Sequence, residues 1–200
     1  MTPDYHTLLG IAAALINLCG YLPYIRNILL GKTKPHPFTW FVWGSLTGIG
    51  FFAQLAAGAG TGAWILGAAS FECLLTAVLA LRWGEKRITA LDWCCFAGAL
   101  GSLILWQLTA NPLLAVILVT LTDGLAFVPT YRKAYVRPNE ETITTFALGV
   151  VAFSISLVAL QSFNLTSALY PAFIAISNFA FVVMLLIRRA AVGRRLPNTQ

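Results

Sequence analysis

Residues 8–30 read LLGIAAALINLCGYLPYIRNILL, 23 residues with a single charged side chain, Arg26. Crossing a hydrocarbon core of about 30 Å takes about 20 apolar residues, and a span without water closes its backbone hydrogen bonds within itself, as a helix. This run is therefore expected to be a membrane-crossing helix. Six more follow, at 38–57, 62–82, 91–109, 112–134, 143–163 and 167–187. Short alternating segments of the kind that build membrane β-barrels do not occur. The expectation is an all-α membrane protein, seven transmembrane helices in one short-looped bundle.

Composition points the same way. Apolar residues make up 58% of the chain and charged residues 10%, whereas a soluble domain carries roughly 25% charged residues. The opening residues, Met1-Thr2-Pro3-Asp4-Tyr5-His6, hold no basic segment and no small-residue cleavage site, so the first run reads as a retained helix rather than a removed signal.

The formal net charge is +6, and the 13 Lys and Arg residues are confined to the ends of runs one, three, five and seven or the segments just after them. The opposite turns, near 58–62, 110–112 and 164–167, carry none. Lys and Arg favour the cytoplasmic side. With seven crossings this places the N-terminus outside and the C-terminus inside. The charge thus marks orientation in a lipid bilayer, and no nucleic acid partner is expected. The expected location is the inner (plasma) membrane of a bacterium.

Cys19, Cys73, Cys94 and Cys95 lie within or at the edge of the runs, without CxxC or Cys–His spacing, and read as free packing thiols. No Walker sequence, Rossmann glycines, zincin helix or serine-hydrolase elbow is present. Neither a cofactor, a metal nor an enzymatic activity is expected.

An internal repeat emerges at an ungapped offset of 106 residues, found by pairing Pro23 with Pro129, Arg26 with Arg132 and Thr39 with Thr145. It continues through Ala69/Ala175 and Arg82/Arg188, with the similar pairs Asn17/Asp123, Trp40/Phe146, Trp64/Tyr170 and Glu72/Asn178. Runs one to three map onto runs five to seven, and run four is left as a linker. Both triads then run in the same direction, a 3+1+3 arrangement of parallel repeats. The units are 1–87 for the first repeat, 88–110 for the linker helix, 111–190 for the second repeat and 191–200 for a cytoplasmic tail.

Topology, repeat and the segments Tyr21-Leu22-Pro23-Tyr24-Ile25-Arg26 and Phe127-Val128-Pro129-Thr130-Tyr131-Arg132 together resemble the SWEET/PQ-loop superfamily of seven-helix membrane transporters. The Pro-Gln dipeptide of that family reads Pro23-Tyr24 and Pro129-Thr130 here. The resemblance implies a substrate site near mid-membrane between the repeats, with polar residues from the third and seventh helices at positions that look like Glu72 and Asn178.

The residues themselves point to the same region. Ionisable groups inside membrane helices are costly and face a cavity or a partner. Glu72 and Asp123 each lie about 15 Å into their runs at 1.5 Å per residue, and Asn178 and Asn17 are their repeat counterparts. These four are the expected substrate-binding set. Two nearby carboxylates suit a cationic ligand, or a proton carried with a neutral one. The bland alternative is that the four only hydrogen-bond between helices.

Pro23 and Pro129 break helix hydrogen bonds and are expected hinges or static kinks. Arg26 and Arg132 follow one turn later, as gate residues reaching Glu140 or Glu141, or as snorkelling interface anchors. Trp40, Trp64, Trp83, Trp93 and Trp106 suit interfacial belts, and Gly44, Gly48, Gly98 and Gly101 suit close helix packing. Asn164-Leu165-Thr166 fits a glycosylation sequon on the outer side.

The function expected is secondary transport of a small polar or cationic metabolite by alternating access, with proton coupling as one mode. The alternative is a membrane receptor or a regulatory or assembly protein with a SWEET-like fold. The oligomeric state is left open.

Overall fold

In a computed structural model, residues 5–56, 64–108, 112–160 and 165–193 are described. The described residues form seven α-helices and one short 3-10 turn, with no strand: α1 Tyr5–Leu29, α2 Pro37–Ala56, α3 Trp64–Trp83, α4 Ala90–Leu108, α5 Pro112–Val136, α6 Ile143–Val158 and α7 Leu165–Gly193, the turn being Pro138–Glu140. Helix α6 stops five residues short of its apolar run. Its C-cap residue Ala159 bonds its N–H back to Ile155, and the Ala159 carbonyl accepts from His6 Nδ1 at 2.8 Å. Helix α7 is longer than its run, because Arg188, Arg189 and the alanines after them are good helix formers. The outer turns, the sequon's Asn164 and the tail from 194 onward lie outside the described residues.

Six helices close into a ring. Helix α3 packs between α1 and α2, α7 packs between α5 and α6, and α1–α6 and α2–α5 contacts join the two triads. Helix α4 lies against α5 and α2. Its first turn is fixed by a reciprocal cap: the Thr89 N–H donates to Asp92 Oδ2 at 2.7 Å, and the Asp92 N–H reaches Thr89 Oγ1 at 3.4 Å.

Equivalent helices repeat equivalent contacts. Thr39 Oγ1 donates to the Ala126 carbonyl at 2.5 Å, and Thr145 Oγ1 donates to the Gly20 carbonyl at 2.7 Å. Thr39 and Thr145 are 106 apart, and so are Gly20 and Ala126. Each acceptor stands three residues before the proline inside its helix, Pro23 in α1 and Pro129 in α5. A proline leaves the preceding turn's carbonyls short of partners, and in each half a threonine from the opposite triad binds there.

The outward surface is apolar. On α1, Leu8, Ile11, Leu15, Leu18, Leu22 and Leu29 face out at helical spacing, with Leu22 66% exposed, while Ala13, Gly20, Tyr21 and Tyr24 face in. Helices α3 and α7 also turn Phe71, Val78, Leu81, Ile176, Phe179 and Ile187 outward. By length and composition two helices among the described residues can cross a membrane, Tyr5–Leu29 and the Ala168–Val192 part of α7.

Charges gather at the end where odd-numbered helices finish and even-numbered ones begin. Lys133 is fully buried and pairs with buried Glu141, which also accepts from Tyr24 Oη at 3.2 Å. Lys34 pairs with Glu140 at 2.7 Å, and its backbone N–H donates to the Glu140 carbonyl at 2.9 Å. Arg137 pairs with Glu85 and Glu140. Thr33 and Thr142 meet at 2.5 Å. The turn before α2 is thereby locked to the turn before α6.

Close approach of α2 to α3 depends on Gly44 and Gly48. A Cβ at Gly44 would stand 2.7 Å from Leu74 Cγ, and one at Gly48 would stand 2.8 Å from Ser70 Oγ. Gly98 leaves only 3.3 Å to Leu125, whereas Gly101 has nothing within 4 Å and plays no packing part. All four cysteines are free thiols.

Removing one member of a buried ion pair strands the other charge, at a cost of about 3–5 kcal/mol, whereas an apolar replacement of both is often neutral. Lys133→Met is expected to lower stability by that amount, and Lys133→Met with Glu141→Leu to recover most of it, as measured by denaturant unfolding of the purified protein.

Candidate functional site

A cavity lies inside the ring, lined from all six helices. Its unfilled space, with the open mouth counted in, is about 640 Å³. Its walls follow the repeat. Asn17/Asp123 and Tyr21/Phe127 come from α1 and α5, and Trp40/Phe146, Trp43/Gly149 and Thr47/Phe153 from α2 and α6. Each pair is 106 residues apart.

Asp123 is 5% exposed and accepts from Tyr170 Oη at 3.1 Å. Asn178, from α7, fits because Gly149 faces it: a Cβ there would stand 2.7 Å from Asn178 Nδ2. Asn17 is half-buried and lines the cavity while donating to Glu72 Oε2 at 3.3 Å. Below them an aromatic cluster of Tyr21, Tyr24, Trp40, Phe127, Phe146 and Phe181 fills the space toward the charged end. Tyr24 and Trp40 lie 4.9 Å apart between ring centroids, and Phe146 and Phe181 4.4 Å.

Glu72 does not line this cavity. It lines a separate groove on the outer side of the α1–α3 seam, and Cys73 occupies the cavity wall in its place. Register accounts for Cys73. Exposed positions 71, 74, 75, 78, 81 and 82 of α3 match 176, 179, 180, 183, 186 and 187 of α7. The offset is 105 here, not 106, so Cys73 corresponds to Asn178 and Glu72 to Ser177. One residue turns a helix by about 100°, so the wall position of Asn178 falls to Cys73; Ser177 lines the cavity as well, whereas its counterpart Glu72 turns to the seam and accepts from Asn17. Among the described residues the cavity therefore has one carboxylate, not two.

Pro23 and Pro129 sit inside α1 and α5 as expected. Arg132 does not reach Glu140 or Glu141. Its Nε and Nη2 grip both oxygens of Asp92 at 2.9 and 2.6 Å and fasten α4 to α5. The acidic pair is held by Lys34, Lys133 and Arg137 instead. Arg26 is exposed and lines the outer groove. Trp40 is buried in the cavity wall rather than in a belt, while Trp93 is exposed; the side chains of Trp64 and Trp106 lie outside the described residues.

Sequence reasoning named Trp40, Thr145 and Tyr170 as repeat partners, without assigning them to a site. Trp43, Thr47, Gly149 and Ser177 were not singled out; their spacing from Asn17 and Asp123 along the repeat was the available signal.

His36 is fully buried beside Asp92, 3.7 Å away, with Arg132 and Lys133 near, and neither ring nitrogen has a hydrogen-bond partner. Burial, opposed by Asp92 and aided by the two cations, lowers its pKa to about 4. The unfolded chain takes up this proton near pH 6.5 and the folded chain only near 4, so stability is complete above 6.5 and falls as pH drops through that window. The loss at pH 4 is on the order of 3 kcal/mol, at about 1.4 kcal/mol per pH unit. The melting temperature is expected to fall more steeply from pH 6.5 to 4 in the wild type than in His36→Gln.

Comparison with family models, curated proteins and solved structures finds no match to this chain.

Proposed function

We propose that the chain spans the membrane seven times, N-terminus outside, as a secondary transporter of SWEET/PQ-loop type that moves a small organic cation by alternating access. The observation that carries this reading is the cavity itself. It sits between two like-directed triads, is walled by repeat-related residues, and is flanked by α1 and α5, whose carbonyls three residues before Pro23 and Pro129 are held by equivalent threonine bonds. Parallel repeats around a central site are a recurrent transporter design.

The membrane reading rests on inside-out patterning. Large apolar side chains face outward on most helices, while charges are paired at one end. Soluble monomers rarely expose apolar patches beyond a few hundred Å². By the distribution of Lys and Arg the charged end faces the cytoplasm. The interlocked turns at Lys34 and Glu140 close that end, so this is the inward-closed state of the cycle. Rocking at Pro23 and Pro129 would part those turns.

The ligand chemistry follows from the lining. Among the described residues that line the cavity, Asp123 is the only charged one, and no Lys or Arg is among them. Tyr21, Trp40, Trp43, Phe127, Phe146 and Tyr170 supply ring faces that attract cations. Asn17, Asn178 and Thr47 offer neutral polar partners for the rest of the molecule.

Truncating one partner of a buried charged contact costs about 2–5 kcal/mol in binding. From a panel of small amines, quaternary ammonium compounds and neutral polyols, the amines are expected to stabilise the purified protein thermally. Asp123→Asn should abolish that effect. Uptake of the same amine into proteoliposomes completes the test: binding without flux would replace the transporter by a receptor, and no binding by any cation would remove the site. For topology, a cysteine introduced at 58–62 in a cysteine-free variant should react with an impermeant maleimide on intact cells, and one at 194–200 should not.

A further inference from the structure

The turn before α2 places a histidine at the seam between the two triads. His36 follows Thr33 and Lys34, which meet Thr142 and Glu140 across that seam. The Pro35 carbonyl accepts the Glu85 N–H at 2.9 Å, which ties the turn to the end of α3. The charged groups that face His36 come from elsewhere: Asp92 from α4, and Arg132 and Lys133 from α5. Phe38, from the start of α2, packs at 5.6 Å between ring centroids. Arg132 fastens Asp92 to α5, so these three charges move with the second triad. His36 moves with the first.

The closed form has no place for a proton on this ring. His36 is fully buried and neither nitrogen has a hydrogen-bond partner. Asp92, the anion beside it, is already engaged: it accepts from Arg132 Nε and Nη2 and from the Thr89 N–H and Oγ1. A charged imidazole here would give up its water, gain no anion of its own, and face two cations. When the turns before α2 and α6 part, His36 draws away from α5 and water reaches it.

We infer that acid on the charged side opens this end of the ring: the open form carries a proton on His36, and closure expels it. The inference rests on the alternating-access reading and adds a trigger to its inner gate. By linkage, the form that binds the proton more tightly gains as pH falls. Burial holds the ring's pKa at about 4, against 6.5 for a hydrated imidazole. The ratio of open to closed therefore rises about tenfold from pH 7.5 to 5.5. Glu141 has the opposite sign, because burial, against the pull of Lys133 and Tyr24, raises its carboxyl above its ordinary value. It stays beside Lys133 on the second triad as the turns part, so its surroundings change less than those of His36.

The test uses the full chain in lipid nanodiscs, its four cysteines replaced and one new cysteine introduced at a time. Thr33→Cys, at a position 1% exposed, reacts with a small methanethiosulfonate only when the turns part. Lys32→Cys, at the exposed neighbouring position, gives the intrinsic thiol reactivity at each pH. Ala99→Cys, buried with residues of α2 and α5, reports global unfolding. The Thr33→Cys rate relative to Lys32→Cys should rise about tenfold from pH 7.5 to 5.5, with no matching rise for Ala99→Cys. Adding His36→Gln should flatten the response. A ratio that does not change with pH overturns the proposal. So does a rise that survives His36→Gln, which assigns the proton to another group, or a rise that Ala99→Cys shares, which assigns it to unfolding. The readout needs no ligand. The cavity reading is judged separately, by amine binding at pH 7.5, where His36 is largely neutral in both forms.

Discussion

Lys133 and Glu141 hold two opposite charges out of water at one end of the ring, and the rest of that end is arranged around them. Withdrawing such a pair from solvent is expensive unless every remaining lone pair and proton is met. Tyr24 and the backbone carbonyl of Glu140 meet two of them. Arg189 donates to the Glu141 carbonyl at 2.5 Å and to the Pro138 carbonyl at 3.1 Å, which brings α7 into the same knot. Because Glu141 precedes α6 and Tyr24 belongs to α1, this one contact registers both triads against each other. The aromatic cluster above it inherits its position, and the cavity floor inherits the position of the aromatics.

The proline-bearing helices depend on that registration. A threonine can reach a carbonyl on a neighbouring helix only if the two slide into one register, within a few tenths of an ångström. Thr39 and Thr145 both do so. Two broken turns that would each leave backbone groups short of partners in an apolar setting are thereby compensated from across the ring, and the joint remains a place where the helix can bend.

Much of this was legible in the chain. Apolar run length located the seven helices of the described residues, with ends that differ by a few residues. Paired prolines, threonines and arginines revealed the repeat, and the offset of 106 found both walls built from α1, α5, α2 and α6. It failed at α3 and α7 through a single residue gained in the connection to α3, and loops accept such insertions at little cost. Glu72 and Asn178 were placed together by that offset and by the family resemblance. The buried position of Trp40 and the Asp92 grip on Arg132 were illegible for another reason. Both depend on which neighbour a side chain meets, and periodicity does not encode partners.

The one-residue slip has a consequence for how a guest lies in the cavity. Were the two halves identical, any asymmetric ligand would have two equivalent poses related by a half-turn, and the ambiguity would be worth RT ln 2, about 0.4 kcal/mol, of orientational entropy. The α1/α5 and α2/α6 walls come near that degeneracy. It is lifted by Asp123 standing opposite Asn17, and by Asn178 standing opposite Cys73. The cavity thus has a head and a tail, and an asymmetric guest would have one preferred way round.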